Sequence, residues 1–196
     1  VTREDVRRSF AERYEILEKR AREERRAAED EYVQLARHAI ETIVRTGEPA
    51  ARLQGLPSEM AERAGVFVSL KKDGELRGCI GTFEPTAKNI AEEIMKNAAS
   101  AALRDPRFPP VRADELDELV YSVDVLTEPE LVGSADDLDA RRYGVIVESR
   151  GRKGLLLPDL PGVDTAEEQL RIARKKGGIP EDAAIRIWRF EVTRHV

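Results

Sequence analysis

The chain has 196 residues, of which 41% are hydrophobic and 36% are charged, and its formal net charge is −5. This length and composition predict one globular domain with a sizeable core and a short extension. The acidic balance argues against a nucleic-acid partner, because the long-range field repels phosphate backbones. No stretch has the apolar length of a membrane span, and the first twenty residues lack the apolar core of a signal peptide, so we expect a cytoplasmic protein.

The first thirty residues predict a long, solvent-exposed helix. They contain nine Lys or Arg and nine Asp or Glu, with a thin apolar seam at steps of three and four. The seam consists of Val6, Phe10, Tyr14, Leu17, Ala21 and Ala28. It suits docking along one groove, on its own domain, on a second copy or on another protein, although a charged extension without chemistry is the simpler interpretation. We therefore divide the chain into a helical extension, residues 1–28, and a domain, residues 29–196.

A helix and a β-hairpin open the domain. Apolar residues recur at helical spacing over residues 32–44 and predict a core-facing helix. "GVFVSLKKDGELRGCIGTF" predicts a β-hairpin, because Asp73-Gly74 is typical of a two-residue hairpin turn. Its second strand carries the only cysteine, Cys79. Alternation along this second strand predicts that Arg77 and Cys79 share one face.

Helices, loops and strands alternate in the rest of the chain. Thr86 is the predicted N-cap of a helix in "PTAKNIAEEIMKNAASAALRD". "DPRFPPV", residues 105–111, holds three prolines that predict a stiff surface loop. Strands are predicted for "ELVYSVDVL" and "AIRIWRFEV", and a hairpin around Gly151 is predicted for "YGVIVESRGRKGLLLP". Thr165 is the predicted N-cap of the last helix. Strands joined by short hairpins, with helices between them, predict an α+β fold in which helices cover a mostly antiparallel β-sheet.

The chemical inventory of the sequence is thin. It has no paired cysteines for zinc, no H-E-x-x-H and no glycine motif for phosphate, so we predict neither a metal site nor a cofactor. The candidates for an imidazole base are His38 and His195, and the sequence places neither of them beside Cys79.

Four stretches, in order, resemble one known family. "LRGCIG" at 76–81 and "AALRDPRFPPV" at 101–111 form a specific pair. They are followed by "YGVIVESRGRKGLLLP" at 143–158 and by a final helix and strand that carry Trp188. These motifs strongly resemble the AMMECR domain family, the family of the human Alport and elliptocytosis chromosomal-region protein, over residues 30–196. The resemblance implies a single α/β domain with a mostly antiparallel sheet, with room for a small subdomain.

The resemblance also implies a partner system, because bacterial and archaeal relatives are similar to the first component of a three-part system with a Memo-like protein and a radical-SAM protein. We therefore expect an enzyme component that acts on a small-molecule or peptide substrate in a cleft between the "LRGCIG" strand and the "DPRFPP" loop. The alternative is a non-catalytic adaptor that docks a protein partner or a small anionic ligand. Asp159 stands where the family often has Gln or Glu, which puts a catalytic role of that position in doubt.

The candidate site is built around Cys79. Its thiolate is the candidate nucleophile, and Arg77 and Arg107 are candidates to stabilise that charge or to bind an anionic ligand. Asp105 is a candidate to orient an arginine or to act as general acid or base.

Gly78 and Gly81 belong to the candidate site as ligand contacts, because glycines in a strand allow another group to come close. The competing interpretation is structural. Free cysteine is often buried, so Cys79 would fill the narrow slot between these glycines while the arginines form ion pairs with Asp105 or Glu84. Ligand contact without covalent chemistry is the third possibility.

Overall fold

The computed structural model describes residues 3–196, with side chains at residue 8 and from residue 12 onwards. The helices in this range are α1 (Arg3–Ala28), α2 (Glu31–Thr46), α3 (Ile90–Leu103) and α4 (Ala166–Lys176). The strands are β1 (Val66–Lys72), β2 (Glu75–Thr82), β3 (Leu119–Leu126), β4 (Glu130–Val132), β5 (Gly144–Ser149), β6 (Arg152–Leu156), β7 (Arg186–Phe190) and β8 (Val192–His195). Short 3-10 turns lie at Ser58–Ala61, Ala113–Glu118 and Ala135–Asp137. Within the described residues, no helix is both long enough and apolar enough to cross a membrane.

Sheet 1 is the larger part of the domain. It has the strand order β2-β1-β3-β8, and each neighbouring pair is antiparallel. Helices α2 and α3 pack on one of its faces, because Val66, Val68 and Leu70 alternate toward them and are fully buried. The apolar stripe of α2 and the alanine-rich side of α3 complete this core.

Sheet 2 has the strand order β4-β7-β5-β6 and is also antiparallel. Helix α4 covers it closely, since a Cβ at Gly154 in β6 would overlap the carbonyl oxygen of Ala173. Val145 and Val147 of β5 are buried in the core beneath this helix. The predicted α+β class is confirmed, and the strands form two sheets rather than one.

A third apolar cluster joins the two sheets. Its buried members are Leu126 at the end of β3, Ile146 in β5 and Phe190 at the end of β7. One residue, Glu191, separates β7 from β8, so the chain passes directly from sheet 2 into sheet 1 at this cluster. The sheets therefore share a core at one end of sheet 1.

Both predicted hairpin turns are confirmed. Asp73 and Gly74 have φ values of 53° and 81°, and Arg150 and Gly151 have 48° and 80°. Two successive positive φ values define the tight turn whose twist matches that of the flanking strands.

The helix caps are confirmed in one place and corrected in another. Thr165 is the N-cap of α4, as predicted, and its side chain accepts a hydrogen bond from the Glu168 amide. The predicted cap of α3 is wrong, because the N-cap is Asn89. Thr86 instead donates its hydroxyl to Glu93 at 2.8 Å, which holds the loop before the helix.

Helix α1 confirms the predicted long helix. Tyr14 and Leu17 are 65% and 64% exposed, so this part of the seam does not dock on the chain's own domain. Contact with the domain comes from Arg26, which donates to Glu41 and Asp117 at 3.1 and 3.0 Å.

Two parts of the sequence prediction for the extension stay predictions. The side chains of Val6 and Phe10 lie outside the described residues. Docking of the seam on a second copy or on another protein, and the boundary between residues 28 and 29, likewise stay predictions.

Candidate functional site

Cys79 lies on the edge strand of sheet 1, directly opposite Ser69 of β1. The backbone N–H and C=O of Cys79 both point away from β1, toward groups of the next loop, so the two residues form a non-hydrogen-bonded pair. Side chains approach most closely in such pairs, and the Ser69 hydroxyl donates to Cys79 Sγ at 3.2 Å. The residue is half-buried on the sheet face that α2 and α3 leave uncovered.

The "DPRFPP" loop runs along the free edge of β2 and satisfies the backbone of Cys79. The Cys79 amide donates to Asp105 Oδ2 at 2.9 Å, and Arg107 Nη2 donates to the Cys79 carbonyl at 3.0 Å. Nε and Nη2 of Arg107 also donate to Oδ1 and Oδ2 of Asp105, at 3.0 and 2.7 Å. Strand and loop are therefore in direct contact at Cys79, and the surface open beside the thiol is the face of sheet 1 rather than a gap between the two segments.

Asp105 is ionised in this arrangement. Hydrogen bonds from Arg107 outweigh the effect of burial and hold the pKa of Asp105 far below its usual range, and the Cys79 amide adds to this effect. The carboxylate has no proton to give at neutral pH and both its oxygens are engaged, so the geometry fits the orienting role rather than general acid–base chemistry.

Arg107 lies near the thiol as well as the backbone of Cys79. Its pKa is raised, first by the hydrogen bond to Asp105 and further by the Cys79 side chain. The guanidinium side chain is 54% exposed, so it combines a fixed position with access to solvent.

The predicted shared face of Arg77 and Cys79 is wrong. The pairing of β1 with β2 shifts between Leu70 and Lys71, which makes Arg77 the extra residue of a β-bulge. Arg77 turns instead to Glu115, to which its Nε and Nη2 donate at 3.0 and 2.9 Å. It belongs to a structural ion pair that lowers the Glu115 pKa, and it does not lie beside the sulfur.

The glycines flanking Cys79 are positions of close contact within the protein. A Cβ at Gly78 would overlap the carbonyl oxygen of Ala101 in α3, and a Cβ at Gly81 would overlap the ring of Phe67. Packing explains both residues, so their predicted role in binding a ligand stays a prediction.

Both histidines of the chain lie on the other side of sheet 1. His195 in β8 pairs with Val123, on the face that carries α2, where it stacks on Tyr32 and contacts Asp30 at 2.5 Å. His38 belongs to α2 and contacts the Ala51 carbonyl. The sheet therefore separates each imidazole from Cys79, and the site has no cysteine–histidine pair.

A second polar row lies on the face of Cys79, and its Asp124 is a buried, hydrogen-bonded strand residue, as the sequence predicts. Asp124 of β3 lies between Phe67 and Arg194 in the register of the sheet, two residues from Ser122, the partner of Ser69. Asp124 is 4% exposed and accepts hydrogen bonds from Arg194 at 2.8 and 3.0 Å. Alternation in "YSVDVL" signals that Ser122 and Asp124 share a face, but which strands flank β3 cannot be read from the sequence.

Among the side chains that the structure describes, no three of His, Cys, Asp or Glu come together in a way that could hold a metal ion. What the arrangement offers chemically is one half-buried thiol, with a hydroxyl donor on one side and a guanidinium on the other.

Comparison with known proteins identifies the family. The AMMECR1 family model matches residues 33–195, which is most of the chain. The chain belongs to the AMMECR1 family. A Thermotoga maritima protein is 54% identical to it over 170 residues, which are 85% of this chain and 98% of that protein.

Two further relatives show the extent of the AMMECR1 domain. Protein CA_C1420 of Clostridium acetobutylicum is 48% identical over 92% of this chain, and the match spans only 39% of that longer protein. The crystal structure of PH0010 from Pyrococcus horikoshii superposes with a TM-score of 0.76 at 36% identity, covering 83% of this chain and 88% of that one. The predicted membership of the AMMECR family is thus confirmed.

Proposed function

We propose that this AMMECR1-family protein is an enzyme component in which Cys79 reacts as a thiolate with a small or peptidic substrate. The substrate lies on the uncovered face of sheet 1, bounded by the "LRGCIG" strand and the "DPRFPP" loop. The observation that carries this proposal is the Ser69 hydroxyl at 3.2 Å from Sγ, together with the Arg107 guanidinium held at the same residue.

Each group has a separate task in this proposal. Ser69 donates a hydrogen bond to sulfur, and Arg107 supplies the positive charge that favours a thiolate. Asp105 is a positioning residue that holds the guanidinium by two hydrogen bonds and fixes the backbone of Cys79 by a third. No imidazole takes part, so the nucleophile depends on electrostatic stabilisation rather than on a neighbouring base.

The partners in this proposal come from the family resemblance. A Memo-like protein and a radical-SAM protein would act with this chain and would bring the metal chemistry of the system. The match of this chain to part of a longer Clostridium protein is compatible with AMMECR1 domains that work beside other domains.

The rate of labelling by iodoacetamide tests the proposed thiolate. Below pH 7 the proposal predicts that Cys79 reacts faster than a model thiol, because the Ser69 hydroxyl donates to Sγ and the Arg107 guanidinium is held at the same residue. Ser69→Ala and Arg107→Met should each remove most of this difference. Arg104→Met is the matched control, since Arg104 is exposed and donates to Ser100 rather than to Cys79.

A second outcome of the same experiment would contradict the proposed thiolate. Labelling no faster than the model thiol below pH 7, together with unimpaired function in vivo of Cys79→Ala, would remove the thiol from any catalytic role. The cysteine would then be a structural residue that fills the space beside Ser69.

A non-catalytic adaptor is the second candidate, and the exposed apolar side chains of α1 favour it. Tyr14 and Leu17, three residues apart on one side of this highly charged helix, are 65% and 64% exposed. If α1 is the docking element, deleting residues 1–28 should abolish binding to a Memo-like protein in a surface-plasmon-resonance assay. Tyr14→Ser/Leu17→Ser should weaken binding and Lys19→Ser should not, whereas unchanged affinity of the deletion variant would exclude α1 as the dock.

A further inference from the structure

A groove of about 250 Å³ lies between α2 and α3. Ala39 and Ile43 of α2 line it on one side, and Met95 and Ala99 of α3 line it on the other. The loop that follows α2 contributes residues 49–50, a proline and an alanine. The interior of the groove is therefore apolar, although it lies at the surface of the helical layer.

Two cations stand at the rim of this groove. Lys96 and Arg104 belong to its lining and are exposed. Lys96 Nζ donates to the Thr86 hydroxyl at 2.8 Å, and Arg104 Nη2 donates to the Ser100 hydroxyl at 2.8 Å. Neither cation forms an ion pair with a carboxylate among the side chains that the structure describes, and the described lining contains no Asp or Glu.

One acid, Glu93, lies behind the rim and contacts the same Thr86 hydroxyl. Its side chain is fully buried, and its two oxygens accept hydrogen bonds from the hydroxyls of Thr82 and Thr86 and from the amides of Thr86 and Ala87. This carboxylate is engaged inside the protein, so Lys96 and Arg104 stay available to a ligand in the groove.

We propose that this groove docks an amphipathic helix of a partner protein, whose apolar side chains enter between α2 and α3 and whose carboxylates pair with Lys96 and Arg104. The volume is below the range of about 300–1,000 Å³ that is typical of small-molecule sites, so the groove suits side chains that project from a larger partner. The surface is distinct from the thiol, because α2 and α3 cover the face of sheet 1 opposite to Cys79.

The spacing of the two cations specifies the charge pattern of the partner. Lys96 and Arg104 stand eight positions apart, which is ~12 Å along a helix axis. A helix that packs alongside α3 has the same rise per residue, so acidic residues eight positions apart reach both cations. Helix α1 of a second copy fits less well, because the first thirty residues hold nine basic and nine acidic residues and so offer the rim no net negative charge.

The probe is a fluorescein-labelled peptide of about 17 residues, long enough to form a helix, with two glutamates eight positions apart beside a stripe of leucines. Fluorescence anisotropy with the full chain should show saturable binding. Lys96→Glu/Arg104→Glu should bind the probe at least about tenfold more weakly, because like charges then face each other at the rim. Arg63→Glu/Lys88→Glu is the matched control, since it changes the net charge equally at exposed positions outside the groove, and it should bind as the wild type does.

Two modified peptides separate helix docking from simple charge attraction. A peptide with lysines in place of the glutamates should bind Lys96→Glu/Arg104→Glu at least about tenfold more tightly than it binds the wild type. A peptide with a central proline, which breaks the helix, should bind the wild type at least about tenfold more weakly than the probe does. Equal binding of the probe and either modified peptide by the wild type, or no binding of the probe, would overturn the proposal. A dimer in sedimentation analysis that Lys96→Glu/Arg104→Glu dissociates would also overturn it, because the occupant would then be a second copy of this chain.

Discussion

Cys79 shows how a single strand position can serve both structure and chemistry. Its backbone is held by Asp105 and Arg107 at the sheet edge, and its side chain receives a hydrogen bond from Ser69 on the neighbouring strand. An edge strand exposes backbone groups that other chains can pair with, and the aspartate–arginine pair covers these groups at Cys79. The same guanidinium is the positive charge that the proposed function places near the sulfur, so Arg107 combines a structural role at the edge with a proposed role beside the thiol.

Asp105→Asn should lower the free energy of unfolding by about 1–3 kcal/mol, because hydrogen bonds to charged groups contribute more than neutral ones and the solvent exposure of Arg107 moderates the loss. The depressed pKa of Asp105 sets the pH dependence. Its contribution is complete above the unfolded pKa of ~3.9 and is lost as the pH falls below that value toward the folded pKa.

Urea denaturation of both proteins across pH 3 to 8 measures this difference. The difference in the free energy of unfolding between wild type and Asp105→Asn should be constant above about pH 5 and should become smaller below about pH 4. Asp114→Asn is the control, since this carboxylate is 68% exposed and its pair with Arg112 lies on the surface. A gap that widens in acid would show that the ion pair is not the source of the effect.

At the scale of elements, α3 and β2 approach each other so closely that only glycine fits between them at position 78. A methyl group there would overlap the carbonyl oxygen of Ala101, which belongs to the helix backbone and cannot turn aside. The alanine-rich face of α3 meets the same requirement from the helix side, with Ala98, Ala101 and Ala102 buried. The "LRGCIG" motif is therefore partly a packing motif.

Gly78→Ala should destabilise the protein by about 1–3 kcal/mol, which is typical for forcing an extra methyl group into a well-packed core. Gly133→Ala is the matched control, because its Cβ would meet nothing closer than 4.0 Å. Thermal unfolding of both variants decides the matter. A Gly78→Ala protein as stable as Gly133→Ala would mean that the motif is not required for packing and would return Gly78 to the candidate ligand contacts.

At the scale of the whole molecule, the two sheets are joined by the small cluster around Phe190. The ring is 1% exposed, and it packs so closely on Gly144 that a Cβ there would overlap it. Because Leu126 of sheet 1 and Ile146 of sheet 2 belong to the same cluster, we expect both sheets to unfold in one transition.

Phe190→Ala should cost about 3–5 kcal/mol, the usual range for truncating a buried phenylalanine. Urea unfolding followed by Trp188 fluorescence reports on sheet 2, and far-UV circular dichroism reports on the whole chain. In Phe190→Ala the urea midpoints from the two signals should decrease by the same amount. In the control Leu131→Ala, whose side chain is 64% exposed, the two midpoints should coincide with each other. A shift of the fluorescence midpoint alone would show that the cluster stabilises sheet 2 without joining it to sheet 1.

The sequence alone determined the features that depend on neighbours in the chain. The turns at Asp73-Gly74 and Arg150-Gly151, the cap at Thr165 and the family motifs were all predictable, because backbone conformation and local hydrogen bonds decide them. The α+β class followed from the order of these local elements.

Only the tertiary structure decided what lies next to Cys79. The hairpin turn by itself would set Ser69 opposite Gly78, and the bulge at Arg77 moves the register by one residue and brings Ser69 to the thiol instead. Glu115, the partner of Arg77, is 38 residues away along the chain, and Arg194, the partner of Asp124, is 70 residues away. Such contacts depend on strand order, register and packing across the whole chain, and no local signal in the sequence encodes them.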